Sequence, residues 1–216
     1  RMLDWGFTSF GNWIDPSFYQ LNRMPYFANG WIIGDYKTVS SGNDYWSPLP
    51  DPFDPVFQER ALVTATKIAS EVQNNPWCVG VFIDNEKSWG QEGSLAGHYG
   101  IVINTLKVDA ADSPTKQQFV SYLQKKYREI NALNTAWRSD ISSWDEASNG
   151  ITLTDYNDEV IADLSAMLSL YAEQYFAVVH DALQQTMPNY LYMGARFADW
   201  GMTDEIRHAA AKYADV

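Results

Sequence analysis

The sequence predicts an α/β protein made of parallel β/α units, and three observations carry that prediction. Short apolar runs of strand length alternate with segments whose apolar residues recur every three or four positions, the spacing of an amphipathic helix. The clearest run, Cys78 to Ile83, stops abruptly at Asp84-Asn85-Glu86. Polar and aromatic residues also gather where the strand-like runs end, which is how parallel β/α proteins present reactive groups on a rigid support. A doubly wound sheet is the competing arrangement, but neither phosphate-loop pattern, G-x-G-x-x-G or G-x-x-x-x-G-K-[ST], occurs in the chain.

In chain order, residues 3–13, LDWGFTSFGNW, read as a strand opening into a loop at Gly11-Asn12-Trp13. A second strand-like run, MPYFAN from Met24 to Asn29, leads into an aromatic loop, 31–50, that holds Tyr36, Tyr45 and Trp46. A loop of that length is functional or disordered as a rule, and this one is too aromatic for disorder. Asp54-Pro55 marks a helix start, an N-cap followed by Pro at the first helical position. Ala61, Leu62, Ala65, Ile68, Ala69 and Val72 form its core-facing stripe, and Asn74-Asn75-Pro76 ends it. The strand Cys78–Ile83 follows at once.

A Gly-rich stretch after Gly90 opens a helical insertion over residues 90–150, with Ser113-Pro114 as its clearest N-cap. Two helices are expected there, over 115–127 and 129–138, burying Phe119, Tyr122, Leu123, Tyr127, Ile130 and Leu133. A long helix then spans 158–187, with Ile161, Leu164, Met167, Leu168, Tyr171, Tyr175, Val178 and Val179 facing inward. A strand at 190–194 ends in Ala195-Arg196-Phe197-Ala198-Asp199-Trp200. The last helix starts after Thr203, whose hydroxyl can cap it, with Asp204 and Glu205 well placed in its first turn.

Composition narrows the function. With 216 residues, 46% of them hydrophobic, the chain has ample material for one domain with a sizeable core. Its net charge of −12, without any basic run, argues against nucleic acid and against an anionic membrane surface, because nothing neutralises phosphate. Such a surface suits a neutral substrate better than a polyanion. Aromatics reach 15%, many in segments rich in Gly, Pro, Asp and Asn. Most of them cover the core, but loop aromatics also suit sugar rings, whose C–H faces stack on indole and phenol rings.

The single cysteine, Cys78, lies inside a strand, which excludes an intrachain disulfide and marks it as packing. His98, His180 and His208 lack metal-ligand spacing, there is no G-x-S-x-G elbow, and no cofactor or metal ion is required. No secretory signal, membrane-spanning run or lipidation motif is present. The chain begins at Arg1 inside a patterned segment and ends on a strand-like Tyr213-Ala-Asp-Val216, so it is expected to be a piece of a longer protein.

Glu86 is the best candidate for chemistry. Strand hydrophobes precede it, and a cleft walled by Trp89 and Trp13 would desolvate its carboxyl and raise its pKa, as a general acid requires. Asn85 can donate and accept hydrogen bonds without charge, as suits a sugar hydroxyl. A polar strand-to-loop turn is the alternative for Asp84-Asn85-Glu86. Arg196 and Asp199 form the next cluster, as substrate contacts or as a loop anchor.

The segments LDWGFTSFGNW, NPWCVGVFIDNEKSWG and YMGARFADWGM, in this order, resemble the β-agarases of glycoside hydrolase family 50. The strand hydrophobes before Asn85-Glu86, and the stretch Phe119–Trp137, also resemble family 42 β-galactosidases of the same clan, clan A. The resemblance implies a TIM (β/α)8 barrel, present here from about the second strand to the sixth. It implies a retaining enzyme that acts on agarose, a neutral galactan, and releases neoagarobiose from a chain end, working outside the cytoplasm at the bacterial surface or beyond it. Glu86 would be the acid/base, with Asn12, Trp13, Asn85, Trp89, Arg196, Asp199 and Trp200 as substrate contacts. The retaining reaction needs a second carboxylate as nucleophile; in this clan it ends the seventh strand, so it is expected outside this chain. A β-galactosidase-like enzyme and a non-catalytic sugar-binding module, using the aromatics from Trp31 to Trp46, are the competing readings.

Overall fold

A computed structural model of the chain describes residues 1–198 and 201–216. The polypeptide opens with a 3-10 turn, Leu3–Trp5, where a strand was expected. Only Phe10 of that segment pairs, through a single parallel bridge to Tyr26. Its apolar residues Leu3, Trp5 and Phe7 are exposed, so no packed face holds them extended.

Strand β1, Tyr26–Gly30, forms the centre of the first β/α unit. The aromatic loop behind it contains a two-residue antiparallel ladder, β2 Thr38–Val39 with β3 Leu49–Pro50. Helix α1, Pro55–Val72, starts as its sequence dictates: Asp54 accepts the Val56 N–H and Pro55 occupies the first turn. It buries Phe57, Ala61, Ala65, Ile68 and Val72, while Leu62 faces solvent and Ala69 is half-buried. The 3.6-residue turn puts Leu62 off the stripe that Ala61 and Ala65 define.

Strand β4, Cys78–Ile83, pairs in parallel with β1 from Tyr26↔Cys78 to Gly30↔Ile83. The insertion is more helical than its pattern suggests. It comprises α2 Leu95–His98, α3 Gly100–Lys107, α4 Pro114–Tyr127, α5 Ile130–Trp137 and α6 Trp144–Asn149. Helix α7, Asp158–Thr186, is the long helix expected, although Ile161 and Val178 lie only half-buried at the margin of its stripe.

Strand β5 is limited to Leu191–Tyr192 and pairs with β4 in parallel, Gly80↔Leu191 and Val81↔Tyr192. Gly80 permits that approach, because a Cβ there would meet the Leu191 carbonyl oxygen at 2.6 Å. Helix α8, Asp204–Tyr213, follows, but the Thr203 hydroxyl makes no cap and is buried without a partner among the described residues. Beyond α8 the Asp215 N–H bonds the Tyr192 carbonyl, extending the hydrogen bonding past β5. The parallel sheet thus runs in chain order, β1-β4-β5, with α1 packed on β1 and on α7, and α7 on α8. Among the described residues, no helix is long and apolar enough to cross a membrane.

Candidate active site

The carboxyl end of β4 is locked on both sides by backbone hydrogen bonds. The Asp84 N–H donates to the Gly30 carbonyl at the end of β1 (2.8 Å). On the other side the Arg196 N–H donates to the Asp84 carbonyl (3.3 Å) and the Glu86 N–H to the Arg196 carbonyl (2.7 Å). This gives a parallel bridge between Asn85 and Arg196, beyond the end of β5.

Two residues of this strand end adopt left-handed backbone, Asp84 at φ 64° and Glu86 at φ 48°. Such conformations are uncommon outside glycine and persist where the surroundings over-determine them, which is typical of functional sites. Asp84 thereby turns inward and is buried. Its carboxylate accepts the Tyr175 hydroxyl (2.7 Å) and the Ile32 N–H (3.3 Å), with the Lys87 ammonium 3.9 Å away. Burial raises its pKa above the usual aspartate range, against the opposing pull of Lys87, Tyr175 and Ile32.

Asn85 and Glu86 are half-buried, at the open end of the sheet. Arg196 Nη1 donates to Asn85 Oδ1 (2.8 Å), which fixes the carboxamide with its nitrogen turned to other partners. The same guanidinium lies over the Trp13 ring, 5.4 Å from its centroid. Trp13 stacks on Trp31 with centroids 5.0 Å apart and planes 11° from parallel. Arg196, Trp13 and Trp31 therefore form a stacked wall beside Asn85, with both indoles still partly exposed.

Next to that wall lies a cavity of about 220 Å³ lined by Trp31, Trp46, Ser47, Asn85 and Lys87. The aromatic loop is held in place there by the Tyr45 N–H, which donates to the buried Ser88 Oγ (2.8 Å).

The sequence-predicted residues divide into those the fold brings together and those it does not. Asn85, Glu86, Arg196 and Trp13 converge at the strand ends. Asn12 sits beside Trp13, half-buried, and neither polar atom of its carboxamide has a partner among the described residues. Trp89, expected as a cleft wall, is instead a floor. It is 1% exposed and packs against Tyr175, Phe176, Tyr171 and Phe197. The apolar face of α7 draws this indole inward, so it cannot stack on a sugar ring. Asp199 and Trp200 lie outside the described residues.

Other titratable groups have structural settings. Cys78 is buried in β4, and burial pushes its thiol up to about 11, far from a nucleophile's range. His98 Nε2 bonds Glu205 (2.8 Å), whose other oxygen accepts the Ser165 hydroxyl (2.6 Å), so α2, α7 and α8 are tied together. His180 bonds its neighbour Asp181. Among the described residues no three His, Cys, Asp or Glu side chains converge to hold a metal ion.

Lys87 and Ser47 are members of the site that pattern reading missed, since a Lys beside an acidic run reads as a solvated charge. The inward turn of Asp84 had no sequence signal beyond its place at a strand end.

A parallel sheet with a carboxamide, a carboxylate and stacked indoles at its carboxyl end is the kind of site carbohydrate-active enzymes use. No protein-family model matches the chain. It is 45% identical to β-agarase B of Vibrio sp. (strain JT0107), over the whole of this chain and 23% of that protein. A solved exo-β-agarase structure superposes with a TM-score of 0.97 at 55% identity, covering 99% of this chain and 29% of that one. The structure of PfGH50B superposes with a TM-score of 0.96 at 53% identity, covering 99% of this chain and 30% of that one. The resemblance to the family 50 β-agarases is thus borne out: the chain is homologous, along its entire length, to a segment of these proteins. It spans about a quarter of the curated relative's length.

Proposed function

We propose that this chain is part of the catalytic domain of a glycoside hydrolase that cleaves the β-1,4 linkages of agarose. The observation that carries the reading is the strand end itself, with Glu86 half-buried beside a carboxamide clamped by Arg196, in a chain homologous to β-agarases. The chain-ordered parallel arrangement, from the Phe10 bridge through β1, β4 and β5, supports an arc of a (β/α)8 barrel running from about its second strand toward its sixth.

In this reading the sugar chain lies along the Trp13 and Trp31 wall. Glu86 protonates the glycosidic oxygen as the leaving sugar departs, while a carboxylate contributed from beyond this chain attacks the anomeric carbon. Glu86, now a carboxylate, then takes a proton from the water that hydrolyses the glycosyl-enzyme, so configuration is retained. Asn85 donates its free N–H to the hydroxyl next to the anomeric carbon, where a hydrogen bond strengthens in the transition state. The sugar enters from a chain end and leaves as neoagarobiose. On the same reading the enzyme works in the periplasm, at the cell surface or beyond it.

The test is Glu86→Gln in the full-length enzyme. Turnover of agarose should vanish while neoagaro-oligosaccharides still bind; retained turnover would remove Glu86 from the acid/base role. Product anomers followed by NMR during early hydrolysis report retention, and the product ladder separates end-wise release from internal cleavage. A β-galactoside hydrolysed in preference to agarose would favour the β-galactosidase-like reading. The isolated chain should release no reducing sugar, and release above background would refute the placement of the nucleophile elsewhere.

A further inference from the structure

The cavity beside Asn85 is lined by one cation, Lys87, and by two indoles. The Lys87 side chain is only 14% exposed, yet among the described residues its one counter-charge within 4 Å, Asp84 Oδ1, lies 3.9 Å away, beyond hydrogen-bond reach. Asp84 has already committed its carboxylate to Tyr175 and Ile32. An ammonium offers three N–H donors, so a single counter-charge at 3.9 Å leaves it able to bond a ligand. Lys87 thus brings its N–H donors to a space it shares with the indoles of Trp31 and Trp46, the Ser47 hydroxyl and Asn85.

We propose that this cavity is a sugar subsite, and that Lys87 is a substrate-binding residue in it. One galactan unit stacks its C–H face on an indole and takes hydrogen bonds on its hydroxyl oxygens from the Lys87 ammonium. The two features are complementary, since the aromatic wall accepts a sugar's apolar face and the cation reads its polar edge. Asn85 lines the cavity as well, so a sugar held there adjoins the linkage that Glu86 would protonate. Lys87 thus selects for a hydroxyl-bearing unit directly next to the scissile bond. The inference rests on the glycosidase reading of the same strand end.

The experiment measures calorimetric affinity for neoagarotetraose in the full-length enzyme, with Glu86→Gln present so that nothing is hydrolysed. Adding Lys87→Met should weaken binding about tenfold or more, the worth of a hydrogen bond from a charged donor. Lys87→Arg, which keeps the charge, should recover part of that loss. An unchanged affinity in Lys87→Met, with a lowered melting temperature, would make Lys87 a mere counter-ion for Asp84 and overturn the proposal. Should Lys87→Met not fold, Trp46→Ala keeps the test decisive, because Trp46 is 65% exposed and supports no core. It too should weaken binding, and unchanged affinity overturns the subsite. If Glu86→Gln alone binds no galactan oligosaccharide, the glycosidase reading fails first; if it binds normally and neither second substitution matters, only the subsite fails.

Discussion

Asp84→Ala tests whether the buried carboxylate behind Glu86 holds the strand end in place. The substitution leaves two buried donors, the Tyr175 hydroxyl and the Ile32 N–H, without an acceptor. Each such donor costs about 1–3 kcal/mol. Removing a carboxylate whose burial is itself unfavourable returns part of that, so the net loss should be about 2–4 kcal/mol. Asp84→Asn keeps an oxygen for Ile32 and offers an N–H to the Tyr175 oxygen, so it should lose about 1 kcal/mol or less. The two variants also differ in pH response. Burial raises the Asp84 carboxyl above its ordinary range, so the folded protein holds that proton more tightly than the unfolded chain does. Its contribution is complete below about pH 4, the ordinary aspartate value, and is lost as pH rises through the folded pKa. Asparagine has no such dependence, so the stability gap between wild type and Asp84→Asn should narrow as pH rises above that value. Urea unfolding followed by near-ultraviolet circular dichroism, which reports the aromatic packing around Tyr175 and Trp89, measures both effects. A loss under 1 kcal/mol in Asp84→Ala, or a gap that widens with pH, would refute the reasoning.

Three further predictions concern the scaffold. Asp163 is fully buried and accepts from Tyr122, Tyr127, Lys126 and Trp137, so Asp163→Ala should destabilise by about 3–5 kcal/mol in urea; a loss comparable to a surface substitution would show that these donors find water. Gly80→Ala drives a methyl group into the Leu191 carbonyl and should cost about 1–3 kcal/mol, visible as a lowered melting temperature. Cys78, with its thiol raised to about 11 and its side chain buried, should resist iodoacetamide at pH 8 until denaturant is added; rapid labelling of the folded protein would contradict its placement in β4.

Much of the helical framework was legible because its signals are local. Asp54-Pro55 and Ser113-Pro114 fix the starts of α1 and α4 through side chains that accept N–H groups two or three residues on. The stripe of α7 needs only its own periodicity. Strands fared worse, because pairing partners decide whether an apolar run becomes a ladder. LDWGFTSFGNW has strand composition, yet only Phe10 finds a partner. Thr203 precedes α8 as a good N-cap should, but its hydroxyl caps nothing and is buried without a hydrogen-bond partner among the described residues.

The candidate site shows why residue type alone could not finish the reading. In an extended strand, neighbours alternate between faces. Continued past Ile83, that alternation would send Asp84 and Glu86 to one side and Asn85 to the other. The left-handed turns at Asp84 and Glu86 break the alternation. Asp84 goes inward to Tyr175, Asn85 meets Arg196, and Glu86 stays at the half-buried rim. Asp tolerates positive φ better than most residues, but nothing announces it at Glu86, because the cause lies in residues far along the chain. Gly30 accepts the Asp84 N–H, Arg196 brackets Asp84 and Glu86 through its backbone, and Tyr175 holds the carboxylate. A turn fixed from three elements gives Glu86 a rigid base of the kind catalysis needs, since shifting the backbone there means breaking bonds to β1, to α7 and to the segment after β5 together.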